Sequence, residues 1–319
     1  MTDVGDTLRA LPAVGDVLAS LAGRELCATY GAGVARCELR ALLDGQRAAI
    51  KAGRKPQADL PGALALRLKR ALSVEGRRAI NATGIILHTG LGRAPLDERA
   101  RALTNAASGY CVLQADIGTG ARSLREERVE RWLRELTGCE AATVVNNNAA
   151  ATMLMLRALC AGRSCLLSRG QIIEIGGAFR MPEVMTMSGC RLVEVGTTNR
   201  THLKDYAAAL TPETGAIIHV HTSNFRVRGF ASTPGVAELV PLARKHGVRC
   251  LDDLGSGALV PLSQFGLGDE PTVPASIAAG VDAACFSGDK LICGPQAGII
   301  VGSQAAIAAI RADPFARMF

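Results

Sequence analysis

Aromatic side chains are scarce, at 3% of the 319 residues. The 48% apolar content must therefore build its core mainly from aliphatic side chains. No apolar run is long enough to span a membrane, and the opening MTDVGDTLRA lacks the basic-then-apolar order of a secretory signal. The expectation is a cytoplasmic protein with no membrane partner. The ten cysteines contain no C-x-x-C pair, and the five histidines show no ligand spacing with them. No metal site is expected, and thiols inside apolar runs, such as Cys285, read as reduced and mostly buried. Lysine is also rare, with only Lys51, Lys55, Lys69, Lys204, Lys245 and Lys290 in the chain.

Glycine, by contrast, is abundant at 35 residues, which suits an α/β protein with many tight strand–helix turns. Of the net charge of +7, +5 falls in residues 1–80, which carry 13 Lys and Arg against 8 Asp and Glu. A basic module of this kind fits either a polyanionic partner such as RNA or an ordinary solvated helical surface. Leu8, Leu11, Val14, Leu18 and Leu21 recur at helical spacing, and so do Leu39, Leu42, Leu43 and Ile50. A break at 51–56 and an amphipathic run from Leu60 to Leu72 complete a small helical domain, residues 1–75.

Residues 76–319 read as a large α/β domain. Short apolar runs alternate with helical stretches, at Ala142–Val145, Cys165–Leu167, Arg191–Val195, Ala216–Val220, Val248–Leu251, Ala283–Phe286 and Gly298–Val301. This alternation predicts a mainly parallel sheet with helices on both faces, and ligands at the carboxyl ends of its strands.

Three turns after these strands carry candidate chemistry. In 144–152 a strand gives way to Asn146-Asn147-Asn148-Ala149 and then a helix, which offers either a phosphate site or simple capping by asparagine. Asp252 and Asp253 close another strand. A carboxylate there can hold a cationic pyridinium nitrogen or cap the next element, and Asp253 is assigned the first role. Lys290, in Ser287-Gly-Asp-Lys290, is the one lysine just beyond a buried strand among glycines. Burial would lower its ammonium pKa and make it a candidate for imine formation, with Ser287 in reach of the cofactor's phosphate.

Taken in order, these motifs resemble a family. Ile80-Asn-Ala-Thr-Gly-Ile-Ile-Leu-His-Thr89, Leu91-Gly-Arg-Ala-Pro95, Val145-Asn-Asn-Asn-Ala-Ala150, Ser168-Arg-Gly170, Val193-Glu-Val-Gly-Thr-Thr-Asn-Arg-Thr-His202, Val220-His-Thr-Ser-Asn224, Asp253-Leu-Gly-Ser-Gly257 and Gly294-Pro-Gln-Ala-Gly298 are similar to the bacterial L-seryl-tRNA(Sec) selenium transferases. The resemblance covers nearly the whole chain. It implies a fold-type-I, aspartate-aminotransferase-like transferase that uses pyridoxal 5′-phosphate, with Lys290 holding the cofactor and Asn147, Asn148, Ala149, Asn224, Asp253 and Ser287 binding it. It further implies that residues 1–75 bind tRNA(Sec) charged with serine. The serine hydroxyl would leave as water, and selenophosphate would supply selenium. Arg93 is the first choice to hold that anion, with Arg122 and Arg317 beside it. A homo-oligomer built from dimers is also implied.

The sequence departs from the family pattern at Gly90, over Gly118–Arg125, at Gln171 and at Cys293. The small carboxyl-terminal domain of such enzymes is expected to be missing. Two other readings fit the same features. One is a related lyase acting on a small amino acid or amino sugar, and the other a truncated, non-catalytic tRNA-binding relative.

Overall fold

A computed structural model describes residues 4–72, 78–177 and 179–319. The chain forms two compact units, Met1–Ile80 and Asn81–Phe319. The boundary expected at residue 75 lies outside the described residues.

The first unit is helical, with α1 (Val4–Arg9), α2 (Val14–Ala19), α3 (Leu21–Tyr30), α4 (Ala32–Lys51) and α5 (Leu60–Ala71). Ser20 caps α3 by accepting from Gly23 N, and Asp59 caps α5 by accepting from Gly62 N. The apolar stripe of α4 (Ala35, Leu39, Leu42, Leu43) packs with Leu60, Leu64 and Leu68 of α5 and with Val17. Each fully buried leucine contributes about 1.5–3 kcal/mol.

The second unit runs α6 (Glu98–Ala106), α7 (Glu127–Thr137), β1 (Ala141–Val145), α8 (Asn148–Cys160), β2 (Ser164–Ser168), β3 (Glu174–Ile175), β4 (Phe179–Arg180), α9 (Met181–Met187), β5 (Arg191–Val195), α10 (Leu203–Ala209), β6 (Thr214–Val220), α11 (Val236–Lys245), β7 (Arg249–Gly255), α12 (Val273–Ala279), β8 (Ala283–Ser287), β9 (Gly298–Gly302) and α13 (Gln304–Ala312). Seven strands form one sheet in the order β1-β9-β8-β7-β6-β2-β5. β9 is antiparallel to both of its neighbours, β1 and β8, and all other pairings are parallel.

Each of the seven strands expected from apolar runs is present. The two-residue pair β3–β4 had no apolar signal and was not anticipated. Side chains from alternate strand positions feed two separate cores, one under α8 and α13 and one under α11 and α12, so the sheet is covered on both faces. Six of the ten cysteines are buried. No helix among the described residues is long and apolar enough to cross a membrane.

Gly298, at the start of β9, shows how tightly the sheet centre holds the β1–α8 turn. A Cβ there would lie 2.0 Å from the carbonyl oxygen of Asn147. Gly298→Ala should cost at least about 2–3 kcal/mol, since rigid backbone rather than a side chain must yield. The urea midpoint of the purified variant checks this, and an unchanged midpoint would contradict the close approach.

Candidate active site

The turn after β1 folds as its sequence dictates. Asn147 adopts extended backbone and its Oδ1 accepts from Ala150 N at 2.9 Å, so this residue is the helix cap. The capping alternative left open for the asparagines therefore holds for the side chain of Asn147. The amides of Asn148 and Ala149 in the first turn have no acceptor among the described hydrogen bonds, and they lie at the positive end of the α8 dipole.

Asn148 turns toward the sheet. Its Nδ2 donates to Asp253 Oδ1 at 2.9 Å, whereas its own Oδ1 is buried without a partner. One helical turn on, Thr152 Oγ1 lies 2.9 Å from Asp253 Oδ2, and Gly255 N donates to Asp253 Oδ1 at 3.2 Å. Asp253 is 5% exposed. Burial pushes its pKa above the usual carboxylate value, against the opposing pull of Asn148, Thr152 and the Lys290 charge. A buried anion with three donors lacks only a cation, and a protonated ring nitrogen fits that deficit.

Asp252 points to the other face of β7, as strand alternation requires. It pairs with His219 Nδ1 at 2.8 Å and with Ser276 Oγ. Its sequence assignment as a possible cap of the next element does not describe what it does here. It is an internal anchor between strands and α12.

Lys290 sits in the turn joining β8 to β9. That turn is strapped by Leu291 N to Ser256 O, Cys293 N to Lys290 O and Gly294 N to Gly288 O. The Lys290 Nζ lies 4.0 Å from where a Cβ at Gly255 would stand, and Gly255 adopts a positive φ of 64°. Any side chain at 255 would crowd the amine. Burial lowers the Lys290 pKa, and the charge of Arg93 lowers it further. A larger neutral fraction is what a nucleophilic amine requires.

Arg93 is itself held in the left-handed region, φ 63°, and its Nη1 donates to Asp289 Oδ2 at 2.7 Å. The arginine is thus ion-paired beside the lysine. Ser287 ends β8 and is buried, opposite Gly298. Asn224 is exposed, one residue past Ser223, whose Oγ lies 3.3 Å from the same Cβ position at Gly255.

The structure brings Asn148, Asp253, Lys290 and Arg93 into one cluster. It does not bring Arg317 there. Arg317 lies in the 3₁₀ turn 314–317, whose Phe315 ring packs under Arg157, while Arg157 pairs with Asp313. Arg157 is nine residues along α8 from Asn148, about 14 Å by helical rise, so Arg317 belongs to the opposite end of that helix. Arg122 is exposed on the hairpin that pairs Ala115 with Arg122, and it forms no ion pair among the described residues.

Sequence reasoning missed Thr152, Asp289 and a second layer at the rim. There Glu270 accepts from Ser256 Oγ and its Oε1 lies 3.3 Å from His221 Nε2. Burial would raise the Glu270 pKa, but His221 and Ser256 outweigh it and hold the carboxyl below its usual value. Thr152 was legible as the i+4 neighbour of Asn148. Glu270 lies in a loop with no pattern to mark it.

Cys293, where the family pattern has glycine, adopts φ 58° and is exposed. Cys293→Gly should raise stability by about 1 kcal/mol, because a side chain with a Cβ is strained there. A rise in melting temperature without loss of cofactor affinity checks this.

A seven-stranded sheet in this order, with a lysine after β8, an aspartate on β7 and a helix N-terminus after β1, defines the fold-type-I class of pyridoxal-phosphate enzymes. Solved structures agree in fold. D-glucosaminate-6-phosphate ammonia-lyase matches with TM-score 0.57 and 20% identity, over 72% of this chain and 60% of its own. Serine palmitoyltransferase from S. paucimobilis, solved with bound PLP, matches with TM-score 0.50 and 15% identity, over 72% of this chain and 56% of its own.

The chain belongs to the L-seryl-tRNA selenium transferase family, whose description matches residues 79–319, while that of the selenocysteine synthase N-terminal domain matches residues 8–47. The L-seryl-tRNA(Sec) selenium transferase of Rhizobium meliloti (strain 1021) is 49% identical over 318 residues, 97% of this chain. The matched region spans 67% of that relative's length.

Proposed function

We propose that this chain converts seryl-tRNA(Sec) to selenocysteinyl-tRNA(Sec), with pyridoxal 5′-phosphate as cofactor and selenophosphate as selenium donor. The observation that carries the reading is the meeting of Lys290, Asp253 and the Asn148 turn in one buried cluster inside a chain of this family. The free amides of Asn148 and Ala149 would bind the cofactor phosphate, assisted by Ser287, and Asp253 would bind the ring nitrogen. Asn224, on the segment after β6, would line the same site. Lys290 would hold the aldehyde carbon. When bound, the cofactor supplies an electron sink for the Cα carbanion of serine.

Lys290, its pKa lowered by burial and by Arg93, is placed to accept the Cα proton. Arg93, already turned toward Lys290 by Asp289, would receive the anionic donor, with Arg122 contributing from its hairpin. Helices α1–α5, which carry most of the net charge, would bind the body of the tRNA. The exposed Leu103, Tyr110 and Ile117 favour assembly into a homo-oligomer built from dimers. The reaction is assigned to the cytoplasm, where charged tRNA is found.

The test is product formation. Purified chain, pyridoxal phosphate, seryl-tRNA(Sec) and selenophosphate should yield selenocysteinyl-tRNA. A chain that binds the cofactor but turns over a small amino acid or amino sugar instead would favour the lyase reading.

A further inference from the structure

The segment between β6 and α11 carries a feature that the Lys290 cluster does not use. Residues 225–230, Phe-Arg-Val-Arg-Gly-Phe, interleave rings with guanidinium groups, and two of the seven phenylalanines of an aromatic-poor chain fall within these six positions. Both rings face outward, with Phe230 81% exposed and Phe225 42%. Leaving a phenylalanine in water forgoes most of its burial energy, so the exposure calls for another use.

The backbone at Phe230 is fixed, because its carbonyl accepts from Asn199 Nδ2 at 2.8 Å, and the Arg200 guanidinium stands 5.5 Å from the ring centroid. Arg226 and Arg228 are exposed and form no ion pair among the described residues. The segment borders a cleft of about 360 Å³ walled by Thr198, Asn199, His221, Arg226 and Ser232. His221 N donates to Asp253 O at 2.9 Å, so the cleft adjoins the Lys290 cluster. Its volume is at the low end for a ligand pocket and its walls are polar, which suits a single nucleoside.

Rings that stack bases, alternating with arginines that meet phosphates, are the chemistry of single-stranded nucleic-acid binding. We propose that the 225–230 loop receives the single-stranded 3′ end of the aminoacylated tRNA. Bases would stack on Phe230 and Phe225, Arg226 and Arg228 would meet the phosphates, and the terminal nucleoside would enter the cleft so that its aminoacyl group reaches Lys290. The proposal rests on the tRNA reading above and assigns the end of the molecule rather than its body. A second copy of the chain is a poorer occupant, because a two-fold contact here would set Arg226 and Arg228 against their own copies.

Binding of the full chain to tRNA(Sec) with its single-stranded 3′ end intact, and to the same tRNA with those nucleotides removed, tests this. Trimming the end should weaken binding at least about fivefold, the scale of one stacked base. Phe230→Ala should weaken the intact RNA by about as much and leave the trimmed RNA unchanged. Phe230→Trp should restore binding, which separates stacking from damage to the fold. The proposal is overturned if Phe230→Ala affects both RNAs equally or neither, or if it changes the sedimentation coefficient of the free protein while RNA affinity holds. Failure of the unaltered chain to bind any tRNA would instead remove the substrate reading, whereas tRNA binding indifferent to the 3′ end removes only the loop assignment.

Discussion

Lys290→Ala is expected to lower selenocysteinyl-tRNA formation at least ~10³-fold, within the range seen when a positioned proton-transfer group is lost. The visible absorbance of the pyridoxal-phosphate-loaded protein should disappear with it, and borohydride should no longer fix the cofactor to the chain. The variant should fold well without cofactor. Burial and Arg93 hold the Lys290 pKa below its ordinary value, so folding disfavours the charged ammonium at every pH below that of the unfolded lysine. Truncation removes this cost, and the melting temperature at pH 7 should stay level or rise. A borohydride-fixed adduct persisting in Lys290→Ala would show that another lysine holds the cofactor.

Asp253→Asn carries the second large effect. Its loss of turnover should reach roughly 100-fold or more, because the ring then lacks the anion that keeps it protonated. Its effect on cofactor-free stability runs the other way. The Asp253 pKa is raised in the folded state, so the native protein retains a proton that the unfolded chain has released. Stability is then lost as pH rises from the unfolded value toward the folded one, by up to about 1.4 kcal/mol per pH unit across that window. The substituted amide cannot ionise, so the variant should gain on the parent chain as pH climbs above about 4. Thermal melts of both proteins from pH 4 to 8 without cofactor check the sign. Parallel curves would mean that the native carboxyl is already relieved of its burial cost.

The strands were legible because parallel strands buried on both faces read as continuous apolar runs, and Lys290 was legible because lysine is rare and one alone followed such a run. Asp253 was separated from Asp252 only by a guess. The structure explains the difference through strand alternation, which sends Asp252 to His219 and Ser276 and Asp253 to α8. Arg93 shows why a role is harder to read than a position, since its partner Asp289 lies 196 residues away in sequence. Arg317 was placed with the anion-binding residues by resemblance alone, and only the packing of Phe315 on Arg157 reveals that it stands at the far end of α8. His221 and Glu270 come together through two loops that no periodicity marks.

Strand β9 wedges between β1 and β8, although it is the last strand of the sheet to be made. Until residue 302 has left the ribosome, the Asn148 turn and Lys290 hang on strands with a vacant slot between them, and neither can be fixed against the other. A growing chain therefore offers its reactive amine no cofactor seat during most of its synthesis. Coenzyme capture becomes a closing event of folding, and nascent fragments shorter than about 300 residues should emerge colourless.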